Sequence, residues 1–256
     1  MNPWRRPLLD VPRTVALRRE DADVETSSEG YASRFGGEVG RYFLEVQTAI
    51  ALEMLVPYPG AGVLDVGGGH GQLAVPLVEH GFDVTVAGSS EICRERLDRL
   101  LPEDRFAFQA CDLLRLPFAD RSFDVVIAFR LIAHVERWRE LVRELCRVAE
   151  RAVILDYSDV RSFNLLYGPF FRLKKAIEGN TRTFLTFRPG QVAAELGRHG
   201  FGRLETRRQF FFPMVVHRAV GRAGFSRGVE RVSGLCGLSR AFGSPVILRA
   251  ERKEAR

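Results

Sequence analysis

Lysine is almost missing from this chain: only three of its 38 basic residues are lysine, and the rest are arginine. Cysteine is sparse as well. Cys93, Cys111, Cys146 and Cys236 lie far apart and form no C-x-x-C pair. That argues against a disulfide framework and fits a reducing, cytoplasmic setting. No Cys/His cluster stands at ligand spacing, so no metal site is expected. No apolar run approaches the roughly 20 residues that cross a bilayer. The first ten residues, M-N-P-W-R-R-P-L-L-D, are basic but have no apolar core, so no secretory signal is expected. Internal repeats and low-complexity tracts are also absent.

What is present suits one main soluble domain: 256 residues, 46% hydrophobic and 27% charged. The net charge of +6 hides an asymmetry. Residues 161–256 carry 19 Lys/Arg against 6 Asp/Glu, while residues 1–160 carry an acidic excess. A basic third of this kind marks a nucleic-acid or membrane-facing surface, or else a solvated arginine-rich face.

The most informative run is Val63–Gln72, V-L-D-V-G-G-G-H-G-Q. An apolar strand ends in Asp65, and Gly67, Gly69 and Gly71 follow at alternate positions before the apolar run Leu73–Val78. A strand, a glycine turn and a helix start let a ligand approach the main chain closely, with unpaired N–H groups behind it. The dinucleotide fingerprint G-x-G-x-x-G fails at Gln72, and no G-K-[ST] follows to make a P-loop. On these residues alone, a glycine-rich turn that binds nothing stays open.

Along the chain, residues 1–28 hold Pro3, Pro7 and Pro12 with little periodicity and read as a loose leader. Residues 29–256 form the main domain. Residues 38–56 have helical spacing. Strands are expected at 82–87, 106–110, 123–129 and 152–156, with helices at 91–100 and 138–149 between them. Such alternation implies a parallel sheet covered on both faces, with ligands at the carboxyl ends of its strands. A further helix at 191–199 and two late strands, 202–212 and 245–250, follow. Residues 217–243 read as a basic helical insertion.

The spacing D-x-G-x-G-x-G resembles motif I of the class I S-adenosylmethionine-dependent methyltransferases. The likeness continues in order over roughly residues 30–212. A-C-D-L-L-R-L-P-F around Asp112 resembles the family segment that meets the adenine. Ser122–Val135, S-F-D-V-V-I-A-F-R-L-I-A-H-V, and Phe187–Phe201 resemble later family segments. The resemblance is strongest to the quinone-biosynthesis and small-molecule branch. It implies an α/β fold: a Rossmann-like seven-stranded sheet, mostly parallel with an antiparallel last strand, helices on both faces and a small lid insertion. It implies S-adenosyl-L-methionine as cofactor. Tyr31, Asp65, Gly67, Gly69, Gly71, Ser89, Asp112, Leu113 and Phe129 would bind it. One departure stands out: where the family has a ribose-binding carboxylate at the end of strand two, this chain has Gly88, with Ser89, Ser90 and Glu91 after it.

Methyl transfer is an in-line displacement that depends mostly on alignment, with a base needed only if the acceptor must lose a proton. His134 is the candidate base, and Asp156 and Tyr157 are weaker ones. Residues 160–187 are placed as the substrate lid. Phe163, Tyr167, Phe170 and Phe171 would offer an apolar lining, and Arg172, Lys174 and Lys175 an anionic contact. A small-molecule or lipid-like, hydrophobic or anionic acceptor is expected, with peripheral membrane contact through the basic third. Two other readings remain. One is a non-catalytic adenosyl-cofactor or partner-binding protein, which Gly88 supports. The other is an RNA methyltransferase; nucleic acid is disfavoured because no N-P-P-Y run or RNA module is found.

Overall fold

The computed structural model describes residues 20–162 and 184–253. Three helices precede the sheet: α1 (Ala22–Thr26), α2 (Glu29–Ala32) and α3 (Gly37–Leu55). Then come β1 (Gly62–Val66), α4 (Ala74–Glu79), β2 (Asp83–Gly88), α5 (Glu95–Leu100), β3 (Ala107–Ala110), β4 (Phe123–Ala128), α6 (Trp138–Val148) and β5 (Ala149–Tyr157). The last part holds α7 (Gln191–Arg198), β6 (Phe201–Phe210), α8 (Met214–Val220), α9 (Ala223–Leu235), α10 (Leu238–Phe242) and β7 (Ser244–Arg252).

The seven strands form one sheet in the order β3-β2-β1-β4-β5-β7-β6. Strands β1 to β5 pair in parallel, while β7 runs antiparallel to both β5 and β6. The expected fold class, with its antiparallel last strand, is therefore present. Strand order reverses between β1 and β4, which opens a crevice at their carboxyl ends.

Alternation along the strands sorts the core into two layers. Leu64, Val66, Val126, Val153 and Leu155 pack on one face with Leu141 and Leu145 of α6. Val63, Val125, Ile127 and Ile154 pack on the other with Met54 of α3 and Leu77 of α4. Asp65 and Asp156 share the parity of this second set, so both carboxylates leave the sheet toward α3.

The reading of residues 1–28 as a loose leader needs correction over its last part. Residues 22–26 form α1, and Asp23 is fully buried. A five-residue helix has too few positions to show a period, so A-D-V-E-T gave no signal. Residues 91–94 form a 3-10 turn before α5 rather than its first turn. The lid residues Phe163, Tyr167, Phe170, Phe171, Arg172, Lys174 and Lys175 lie outside the described residues. Among the described residues no helix is long and apolar enough to cross a membrane.

Candidate functional site

β1 runs fully buried into the glycine turn. Gly67 takes the left-handed conformation at φ 76°, which turns the chain sharply off the strand. Its N–H donates to the Ala87 carbonyl (2.8 Å), which ties the turn to β2. At Gly69 a side chain would collide with Ser27 Oγ and with the Cys93 carbonyl. In this structure the space beside these glycines is taken by the chain's own residues, Asp23 and Leu131 at Gly67, Ser27 and Cys93 at Gly69.

Asp23 makes that contact specific. Its Oδ2 accepts from the Ser89 N–H (2.7 Å) and from Cys93 Sγ (3.4 Å). Its Oδ1 is buried without a partner. Burial, reinforced by Asp23, pushes the Cys93 thiol up to about 11, so it stays protonated. Beside it, Gly88 has no room for a side chain: a Cβ there would stand 2.9 Å from Cys93 Cβ and from Phe108 Cζ. A carboxylate at the strand end would require Cys93 and Phe108 to shift, and α1 instead places that of Asp23 on the neighbouring Ser89 N–H.

Asp65 is 2% exposed. Burial pushes its pKa up to about 7, and Arg130 opposes the shift without overcoming it. Across the crevice, burial lifts Asp156 to about 6. Asp156 accepts from the Arg130 N–H (2.6 Å) and from Gln47 Nε2 (2.9 Å). Gln72 Nε2 donates to Gln47 Oε1 (2.8 Å). The residue that breaks the dinucleotide fingerprint therefore links the glycine turn through α3 to the end of β5.

Arg130 follows β4 with φ 56°, a left-handed conformation rare for a residue with a long side chain. Its guanidinium lies over the Phe35 ring (5.1 Å) and the Tyr31 ring (5.6 Å). His70 meets both rings edge-on at 5.9 and 6.0 Å. Burial, helped by Arg130 and Arg96, holds the His70 pKa down at about 3, so the ring is neutral.

A cavity of about 170 Å³ opens beside this cluster. Its polar lining residues include Tyr31, Arg130, His134, Asp156 and Tyr157, and its apolar ones Phe43, Phe184, Phe210 and Met214. His134 sits on the 3-10 turn Ile132–His134 with its ring 5.6 Å from that of Phe184.

The structure thus brings Tyr31 and His134 into one cavity. Asp65, Gly67, Gly69 and Gly71 gather at the turn, where residues 22–27 cover Gly67 and Gly69 and hold Ser89 through Asp23. Asp112 bends the chain after β3, its Oδ1 accepting from the Leu114 N–H (3.0 Å). The side chains of Leu113 and Phe129 pack in the two core layers, so only their main chain is offered at the strand ends. Sequence reasoning missed Asp23, Gln47, His70 and Arg130. Arg130 alone left a sign, a charge placed directly after an apolar strand. Among the described residues no group of His, Cys, Asp or Glu is arranged to hold a metal ion.

Comparison with known proteins gives a consistent picture. Residues 64–155 match the methyltransferase domain family. The chain is 30% identical over 122 residues to an O-methyltransferase of Pyrenophora dematioidea, covering 45% of each chain. It is also 30% identical over 118 residues to the ubiquinone/menaquinone biosynthesis C-methyltransferase UbiE of Cereibacter sphaeroides, covering 43% of this chain and 47% of that one. The matched segment spans less than half the length of these relatives. Among solved structures, the magnesium protoporphyrin IX methyltransferase ChlM of Synechocystis PCC 6803 with bound SAH superposes with a TM-score of 0.59. It has 19% identity, and 89% of this chain and 96% of that one are covered, a likeness of fold.

Proposed function

We propose that this chain, whose residues 64–155 match the methyltransferase domain family, is a class I S-adenosylmethionine-dependent methyltransferase that moves a methyl group from S-adenosyl-L-methionine to a small-molecule or lipid-like acceptor. One observation carries the reading. The cavity holding Tyr31 and His134 opens at the carboxyl ends of β4 and β5, beside the glycine turn at the end of β1. Cofactor and acceptor would meet there.

The residues present fit the cofactor unequally. At the methionine end, the glycine turn with the buried Asp65 would hold the cofactor, with Tyr31 in the adjoining cavity. At the ribose end β2 offers no carboxylate, and α1 fills the space that the glycines leave. For a cofactor to reach the turn, α1 would have to lift and Asp23 leave the Ser89 N–H. Once bound, it supplies a methyl group already activated on a sulfonium. The chain's own part is to align the acceptor, exclude water and, for an acidic O–H or N–H, take up the proton at His134.

Calorimetric titration with S-adenosylmethionine and S-adenosylhomocysteine tests this reading directly. Saturable binding of both supports it, and no heat at near-millimolar ligand would sink it. The second reading, a non-catalytic partner-binding protein, is favoured by α1 packed into the cleft and by the crowding around Gly88. It predicts that failure.

The acceptor's chemistry follows from the walls. Phe43, Phe210 and Met214 suit an apolar body, and Arg130 an anionic group. We also infer peripheral membrane contact. The α8–α10 cap exposes Val215, Phe225, Val232, Leu235 and Phe242. The same stretch carries Arg218, Arg222, Arg227, Arg231 and Arg240.

A further inference from the structure

Arg130 carries more charge than its surroundings use. Two of its guanidinium nitrogens, Nε and Nη1, are buried with no hydrogen-bond partner. Among the described residues, the Tyr31 hydroxyl is the polar side-chain group that interacts with it most directly. Asp65 and Asp156 are near enough to act through space, yet neither accepts from the guanidinium; Asp156 binds its main-chain N–H instead. Both acids are lifted toward neutrality by burial, so they offset the arginine incompletely. A buried cation left in this state is costly, and a fold keeps one where something else completes it.

Two features make the group a built receptor. The Tyr31 and Phe35 rings hold the guanidinium in one place, so little freedom is lost when an anion binds. The left-handed main chain at Arg130 is pinned by Asp156, which is itself held by Gln47. Arg130 also lines the cavity, together with Phe43, Phe210 and Met214. One cationic side chain among apolar walls suits a monocarboxylate with an apolar body. The cavity is about the size that holds one benzene ring.

We infer that Arg130 is the seat for the carboxylate of an organic anion bound in this cavity. Two molecules would bring such a group: the acceptor, or the methionyl end of the cofactor. The second source rests on the methyltransferase reading, and the first stands without it.

Titration of the full chain separates them. Two pairs that differ by a carboxylate serve as probes: 3-phenylpropanoate with 3-phenylpropanamide, and S-adenosylmethionine with its decarboxylated form. The wild-type chain is expected to prefer the carboxylate of at least one pair by tenfold or more, as a charge-assisted contact implies. Arg130→Asn keeps a residue that tolerates the left-handed main chain, and it should abolish that preference while leaving the affinity for 3-phenylpropanamide unchanged. Arg130→Lys should restore part of it. Loss of preference only in the phenylpropanoate pair assigns the seat to the acceptor; loss only in the cofactor pair assigns it to the methionyl group. If S-adenosylmethionine does not bind but 3-phenylpropanoate binds through Arg130, the seat stands and the methyltransferase reading fails. The inference is overturned if neither carboxylate is preferred, or if Arg130→Asn weakens both members of each pair alike.

Discussion

Asp23 is fully buried on the main chain of Ser89, next to a glycine that has no space for a side chain. A hydrogen bond to a charged group contributes about 1.5–3 kcal/mol, so Asp23 holds α1 down on the glycine turn. Truncating it favours the lifted state. Asp23→Ala should therefore bind S-adenosylmethionine at least threefold more tightly than the wild type, as read by calorimetry. A loss of affinity would instead make Asp23 a ligand of the ribose.

Asp65 and His70 give a second residue-scale prediction, of opposite signs. Asp65 titrates near 7 when folded and near the ordinary 3.9 when unfolded. As pH rises from about 4 to 7, the unfolded chain gives up this proton first, so the group costs stability across that window. Asp156 does the same up to about 6. His70, held near 3 when folded, binds a proton only after unfolding, so it adds stability as pH rises from about 3 to 6.5. Replacing Asp65 by Asn leaves the His70 trend less opposed, and Tm should climb more steeply between pH 5 and 6.5. Scanning fluorimetry across that range checks it; an unchanged slope means that Asp65 ionises normally.

At the scale of elements, the sheet was readable wherever burial imposes a period. β1, β4 and α6 fall within a residue of expectation because Val63–Val66, Phe123–Ala128 and the Leu141/Leu145 stripe must face a core. α1 was not readable, since its burial rests on one carboxylate and on the absence of side chains at Gly67 and Gly69. Those are contacts across the fold with no local period. Half the site shares that property. The glycine turn announces itself in sequence, whereas the Gln72–Gln47–Asp156 relay exists only once α3 and β5 are side by side.

Arg147 on α6 shows how one side chain steadies a whole segment. It donates to Glu144 (2.8 Å), Asp120 (2.9 Å) and the carbonyls of Leu116 (2.8 Å) and Phe118 (2.7 Å). Glu144 in turn accepts from the Leu116 N–H (3.1 Å). Removing the guanidinium strands a buried carboxylate, so Arg147→Ala should cost about 3 kcal/mol in urea unfolding. The loop it clamps follows Asp112, so affinity for S-adenosylmethionine should fall as well. A cost below 1 kcal/mol would show that water replaces the clamp.

For the whole molecule, the uneven charge becomes meaningful once its position in the fold is known. The α8–α10 cap joins β6 to β7 at one end of the sheet, so its basic residues and exposed side chains stand together. Leu235 is 81% exposed and Val232 60%. Apolar groups that exposed contribute nothing to the core, but they would insert beneath lipid headgroups while arginines meet the phosphates. Each basic residue near an anionic surface adds about 1 kcal/mol, and the attraction weakens with salt. The chain should therefore sediment with vesicles containing phosphatidylglycerol and not with pure phosphatidylcholine, and salt should release it. Val232→Glu with Leu235→Glu removes the inserting groups at positions that support no packing, so Tm should hold while vesicle binding falls at least fivefold. Equal binding to neutral and anionic vesicles, or a double variant that binds like the wild type, would mean that the cap faces water and that the acceptor reaches the cavity from solution.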